Sequence, residues 1–257
     1  MKNKKPSFLY RLLKPVVKFF FLKIRHEGSE NLPKEPCIVV GNHSQNNGPL
    51  ACEFYSARPR YTWCAWNMMH LKEVPAYAFQ DFWSQKPKWI QPYFKVMSYV
   101  IAPLSVLVFK NANTIPVYRD MRLINTFRTT VNCLEEGLDV VIFPEKDEKY
   151  NHFLYQFQDK FIDVARMYYK KTGKEVFFVP LYRAPRLKTM YYGKPTKFRA
   201  DAPIDEERQR IKEYLMTEIT NMAVSLPEHT VVPYRNIPKK LYPSNKPKEA
   251  PHEKTGS

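Results

Sequence analysis

The order of apolar and polar positions divides the chain into alternating strand and helix signals. Within residues 7–24, Phe8, Leu12, Leu13, Val16 and Phe20 recur at the spacing of one helix face, and Arg11, Lys14 and Lys18 share another. Pro15 lacks an amide donor and predicts a kink there. Cys37-Ile38-Val39-Val40 reads as a buried strand ending at Gly41, residues 61–66 as a second and residues 114–118 as a third. Pro116 puts that third strand at an edge or an irregular position, because proline cannot complete a ladder. Ile124, Phe127, Val131 and Leu134 predict a helix over 121–136, stopped by Gly137. Val140 to Phe143 is another buried strand. A helix at 158–171 closed by Gly173, a strand at 176–181 and a helix at 205–224 with Asp205 as its N-cap complete the series. Such alternation predicts one α/β domain, a mixed β-sheet flanked by helices. Residues 1–28 read as an amphipathic, membrane-contacting segment and residues 29–242 as the domain. Residues 243–257, rich in Pro, Lys and Glu with no apolar side chain larger than alanine, read as a disordered tail.

Composition sharpens this picture in one respect. With 44% hydrophobic and 15% aromatic residues among 257, a substantial core is available. Charge is the outlier: 41 Lys and Arg against 25 Asp and Glu give +16. Such a surface attracts anionic lipid headgroups, nucleic acid or phosphate-bearing substrates, and charge alone does not choose among them. Cys37, Cys52, Cys64 and Cys133 show neither a C-x-x-C pair nor metal-ligand spacing, and read as reduced, mostly buried thiols. No secretory signal is expected, since basic residues and Pro15 interrupt the first apolar stretch. The longest candidate run, Val96 to Phe109, holds 14 residues and contains Pro103, short of the ~20 that span a bilayer. It reads as a buried helix or a re-entrant element at a membrane surface, so any membrane contact is expected to be peripheral. Trp63, Trp66, Phe82, Trp83, Trp89 and Tyr93 fit core or interfacial packing better than base stacking, and no nucleic-acid-binding motif is present.

Three polar clusters follow three strand signals, where α/β folds place their sites. After Gly41 comes Asn42-His43-Ser44-Gln45-Asn46-Asn47-Gly48; after Tyr118 comes Arg119-Asp120; after Phe143 comes Pro144-Glu145-Lys146-Asp147. Histidine is the natural base for an alcohol near neutral pH. Arginine offers a planar fork to a phosphate.

These clusters, in this order, resemble the glycerolipid acyltransferases, the lysophospholipid (1-acylglycerol-3-phosphate) acyltransferase family. Asn42-His43-x-x-x-x-Gly48 resembles the family's N-H-x-x-x-x-D block. Ile115-Pro116-Val117-Tyr118-Arg119 resembles its second block, Phe143-Pro144-Glu145 the start of its F-P-E-G block and Val179-Pro180-Leu181 its fourth. The resemblance implies a glycerol-3-phosphate acyltransferase-like fold over 29–242. It also implies transfer of a fatty acyl chain from acyl-CoA or acyl carrier protein to the hydroxyl of a lysophospholipid or related acceptor. His43 would be the general base, Asn42, Arg119, Glu145 and Lys146 would lie on the substrate side, and no metal or bound cofactor would be needed. The expected place of work is the cytoplasmic face of a membrane, held peripherally on an anionic surface.

Two departures bear on activity. Gly48 stands where the family has the aspartate that orients the histidine, and Lys146-Asp147 stands where the family has a glycine and its neighbour. Asn47, four residues after His43, is the first candidate to replace the aspartate if the segment is helical, because an amide oxygen can accept an imidazole N–H. Asn46, Glu53 and Asp81 are others. Three readings follow: an active enzyme with a replaced orienter, a catalytically weak or inactive lipid-binding homologue, and a basic nucleic-acid-binding protein.

Overall fold

The structure, a computed structural model, describes residues 6–20 and 23–246. Its centre is an eight-stranded mixed sheet. Five strands run parallel: β2 (Cys37–Gly41), β3 (Arg60–Ala65), β4 (Thr114–Val117), β5 (Asp139–Ile142) and β6 (Phe177–Ala184). With β1 (Arg25–Glu27) and β7 (Thr189–Tyr192) the order across the sheet is β1-β7-β6-β2-β5-β3-β4. β7 and β8 (Thr196–Lys197) pair antiparallel to β6, and β1 lies parallel to β7.

The two central strands are buried at every position because both of their faces are covered, and apart from Asp139 at the start of β5 they carry no polar side chain. Ile38, Val40, Val140 and Ile142 point into the larger core, beneath α5 (Leu123–Glu135), α6 (Asp163–Thr172) and α7 (Ile204–Ser225). Cys37, Val39 and Val141 point the other way, against Ala51 and Cys52 of α2 (Asn47–Tyr55). α5 and α6 end as the glycines predict: Gly137 and Gly173 take φ of 81° and 70°, which an L side chain rarely adopts. Pro116 lies on β4, an edge strand.

A second layer sits beside the sheet. α3 (Val74–Ala78) packs on α4 (Gln91–Asn111) through Val74, Ala78 and Ala102. α1 (Phe8–Phe20) lies against α4, and the amide of Ser7 donates to Asn111 Oδ1 at 2.8 Å. Glu53 on α2 fixes α1 from the other side. It accepts from the Tyr10 hydroxyl at 2.7 Å and from Lys14, and pairs with Arg60 at 2.9 Å.

Several expectations change. α4 runs 21 residues and is, by length and composition, apolar enough to cross a membrane, although no run of that length stood out. Its polar positions, Gln91, Lys95 and Ser98, break the sequence pattern without breaking the helix. α7 begins at Ile204 with Pro203 in the cap position, so Asp205 lies in the first turn instead of capping it. The boundary at residue 28 falls inside the fold, since β1 belongs to the sheet. The tail does not begin at Pro243: Asn245 is fully buried and residues 243–246 pair with the segment after α7. Residues 247–257 of the expected tail, like Phe21 and Leu22 of the expected first helix, lie outside the described residues.

Candidate active site

Parallel strands bring their C-terminal ends to one edge of the sheet, and β2, β5, β4 and β6 deliver His43, Glu145, Arg119 and Arg183 there. Asn42 starts the arrangement. Its buried side chain carries the β2–β6 ladder one residue past Gly41: Oδ1 accepts the Arg183 amide at 2.6 Å, and Nδ2 donates to the Arg183 carbonyl at 3.1 Å. Nδ2 also donates to Ser44 Oγ at 2.7 Å. Ser44 and Gln45 then take positive φ, 46° and 55°, and the loop curls back on His43. The curl sets the Gln45 carbonyl on His43 Nδ1. A carbonyl only accepts, so Nδ1 carries the hydrogen and Nε2 keeps its lone pair.

The imidazole stands between two rings, Phe143 at a centroid distance of 5.4 Å and Tyr234 at 5.0 Å. Burial lowers its pKa to about 4, and backbone hydrogen bonds oppose this only in part. The ring is therefore neutral at physiological pH, and a neutral imidazole is the form that takes a proton.

Glu145 lies below His43 and is buried. Its Oε1 accepts the His43 amide at 2.6 Å and its Oε2 accepts the Tyr155 amide at 2.8 Å. Burial raises its pKa to about 7 against the pull of those two bonds. Both oxygens are thus occupied in tying the histidine loop to the 144–157 loop, and a carboxylate would in any case repel a phosphate. Lys146 is half-exposed and pairs with Glu148 at 2.6 Å. Among the described residues, the exposed guanidinium of Arg119 makes no hydrogen bond or ion pair. Its charge reaches Tyr77, Asp81 and Tyr234. Tyr234 joins the two halves of the site. Its hydroxyl is pushed up to about 12, by burial first and then by Asp81, with Arg119 acting the other way.

Asn47 does not meet the imidazole. The helix starts at Asn47, so His43 precedes the regular turn on which the i, i+4 argument depended. The Asn47 amide instead donates to the Ser44 carbonyl at 2.9 Å. Asn46 is exposed, Glu53 is committed to α1, and Asp81 faces Arg119. The group on Nδ1 is the backbone of Gln45. Gly48 is buried where a side chain has no room: an added Cβ would stand 2.8 Å from the His43 carbonyl oxygen and 2.8 Å from Phe143 Cε1.

No family model matches the chain. No curated protein matches it either. Among solved structures, it is similar to the 1-acyl-sn-glycerophosphate (LPA) acyltransferase PlsC from Thermotoga maritima, with 16% identity and a TM-score of 0.50 over 85% of this chain and 80% of that one. The likeness is one of fold.

Within that fold, the residues missed by sequence reasoning are Gln45, Phe143, Tyr155 and Tyr234. Gln45 acts through a carbonyl, which every residue has. Tyr234 comes from a segment far along the chain that carries no strand or helix pattern. Only Phe143, next to Pro144-Glu145, had a signal in the sequence.

Proposed function

We propose that this chain is an acyltransferase that moves a fatty acyl group from an acyl thioester, acyl-CoA or acyl carrier protein, to the hydroxyl of a lysophospholipid or related acceptor. The observation that carries the reading is the His43 ring, fixed through Nδ1 with its Nε2 lone pair available, at the strand-end edge of a fold similar to that of an acyltransferase. Nε2 takes the acceptor's proton as its oxygen attacks the thioester carbonyl. The carbon–sulfur bond then breaks, and the imidazolium returns the proton to the leaving thiolate. A thioester is already reactive, so positioning plus one base supplies most of the acceleration. Arg119, with a free planar fork, is suited to the acceptor's phosphate. Lys146 adds charge nearby. Asn42 and Glu145 serve the site by shaping the histidine loop.

The test is thiol release from an acyl thioester by purified protein in detergent, with and without lysophosphatidate. Acceptor-dependent release is expected, and its absence with every thioester tried would remove the reading. A second reading, lipid binding without turnover, is favoured by one observation: among the described residues the acceptor on Nδ1 is a neutral carbonyl and not a carboxylate that would stabilise the imidazolium. In that case the protein binds lipid and releases no thiol.

The pH profile adds a prediction. With the folded pKa at about 4, His43 is the neutral base above that pH and is protonated below it. Activity should hold down to about pH 5 and fall as pH drops through about 4, below the ~6.5 of a free imidazole. An inflection near 7 would belong to Glu145. An acid limb centred at 6.5 would contradict the buried setting of the ring.

The reading includes a membrane surface. α1 exposes Phe8, Leu12 and Phe19, the last at 83%, and the adjoining α4 exposes Val96, Tyr99 and Val100. α4 commits its other face to the protein, where Ser98, Ala102 and Ser105 are buried and Ser105 Oγ donates to the Met68 carbonyl at 3.1 Å. That geometry suits a helix lying in the interface, in a chain whose net charge is +16. Leu12→Glu and Phe19→Glu change exposed positions and should weaken binding to anionic vesicles about tenfold each. Sedimentation with vesicles in high salt, where headgroup attraction is screened, measures the apolar part. Unchanged binding there would place the contact elsewhere.

A further inference from the structure

Ser44 and Gln45 are two successive residues in the left-handed region and neither is glycine, which costs about 1–2 kcal/mol each. Such a conformation persists only where its surroundings hold it from several sides. Ser44 is held from below, where its hydroxyl donates to the Arg183 carbonyl at 3.3 Å. Gln45 is held from above. Its Nε2 donates at 2.7 Å to the hydroxyl of Tyr242, which belongs to the segment following α7.

That segment is a closed arm. After Ser225 the chain leaves the helix and returns so that the Val231 amide donates to the Pro243 carbonyl at 2.8 Å. Asn245, fully buried, shuts the base: Oδ1 accepts the His229 amide at 2.7 Å and Nδ2 donates to the Ala223 carbonyl at 2.8 Å. Pro227, Pro233, Pro238 and Pro243 limit the freedom the arm must lose on ordering. Its far part lies across the site. Asn236 Nδ2 donates to the Phe82 carbonyl at 2.7 Å and Arg235 stands 3.5 Å from Asp147. Tyr234 packs on the imidazole, and the Tyr242 hydroxyl accepts from the side chain of Gln45, the residue that orients it.

We infer that the arm spanning residues 226–246 is a positioning element of the active site: Tyr242, by fixing Gln45, and Tyr234, by packing on the ring, hold His43 in the Nδ1–H tautomer that leaves Nε2 as the base. This rests on the reading of His43 as a base for acyl transfer. It explains how a chain with Gly48 in place of an orienting side chain still presents one tautomer. The orienting acceptor is a main-chain carbonyl, and the arm supplies the rigidity that a carboxylate anchored to its own helix would otherwise give.

The experiment uses the full chain and three variants: Tyr242→Phe, which loses only a hydroxyl, Gln45→Ala, and the double variant. Long-range nitrogen–proton NMR of the His43 ring reports its tautomer whether or not turnover occurs, and steady-state kinetics report the consequence. The wild type should show a single Nδ1–H tautomer. In Tyr242→Phe the ring should sample both tautomers and kcat should fall about tenfold, with KM within about twofold and the melting temperature nearly unchanged. The double variant should be little worse than either single one, because both break the same link. A Tyr234→Leu variant, which keeps an apolar side chain, should broaden the ring signals in the same way. A wild-type ring in mixed tautomers would overturn the inference, as would a Tyr242→Phe protein with wild-type tautomer and kcat. If the wild type has one tautomer that Tyr242→Phe disturbs, and yet no thiol is released, the positioning stands and the acyl-transfer reading fails.

Discussion

His43→Ala is expected to reduce acyl transfer by about a thousandfold, within the range that loss of a positioned base produces. The reason is local. Among His43, Glu145 and Arg119, the His43 ring alone is neutral at physiological pH and keeps an unprotonated nitrogen, Nε2, for a proton. Glu145 has both oxygens on backbone amides, and the Arg119 guanidinium offers only donors. The loss should fall on kcat, with KM for the acceptor little changed, because the phosphate is assigned to Arg119 and not to the imidazole. The fold should survive. Neither anchor of the loop uses the His43 side chain: the Asn42 side chain bonds the Arg183 backbone, and Glu145 accepts the His43 backbone amide. Kinetics and thermal unfolding measured on the same preparation separate the two effects. A His43→Ala protein with full turnover would remove the base from its assigned place. Added free imidazole, which fits the space left between Phe143 and Tyr234, should restore part of the rate.

The sequence made the middle of the sheet legible and its margins obscure, for a physical reason. β2 and β5 are buried on both faces, so Cys37–Val40 and Val140–Ile142 are unbroken apolar runs that no surface element imitates. β1 is Arg-His-Glu, β7 is Thr-Met-Tyr-Tyr and β8 is two residues, so none has the length or alternation to declare itself. α2 was hidden because it opens with Asn-Gly-Pro, which reads as a turn. In the site the positions were legible and the duties were not. His43, Arg119 and Glu145 were expected around one cleft because three polar clusters follow three strands. Nothing in the letters says that Glu145 would turn inward onto two amides, or that an asparagine thought to face the ring would bond the Ser44 carbonyl instead. Hydrogen bonds made by the main chain, and rings delivered by a distant arm, leave no residue-type signal at the place where they act.

Gly48→Asp, which restores the residue type that the sequence resemblance leads one to expect, should damage the protein instead of improving it. An ideal Cβ at position 48 would lie 2.8 Å from the His43 carbonyl oxygen, 2.8 Å from Phe143 Cε1 and 3.0 Å from the Asn42 carbonyl oxygen. Two of those three atoms are backbone. They cannot retreat without drawing the loop off Arg183 and Glu145, which hold residues 42 and 43. Phe143 can move only by leaving the imidazole it packs against. The carboxylate adds a second cost, since it would be attached at a buried position whose Cβ already meets two carbonyl oxygens. Overpacking and an uncompensated buried charge together should destabilise the fold by about 3–5 kcal/mol, a fall in melting temperature of roughly 10 °C or more. Turnover should drop as well, because Nδ1 already has its acceptor in the Gln45 carbonyl and the loop that presents it would be displaced. Gly48→Ala separates the causes. It carries the Cβ without the charge and, at a helical position, should cost about 1–3 kcal/mol. A Gly48→Asp protein that melts with the wild type and turns over faster would show that a side-chain carboxylate can still reach the ring, and that the carbonyl of Gln45 is not its orienter.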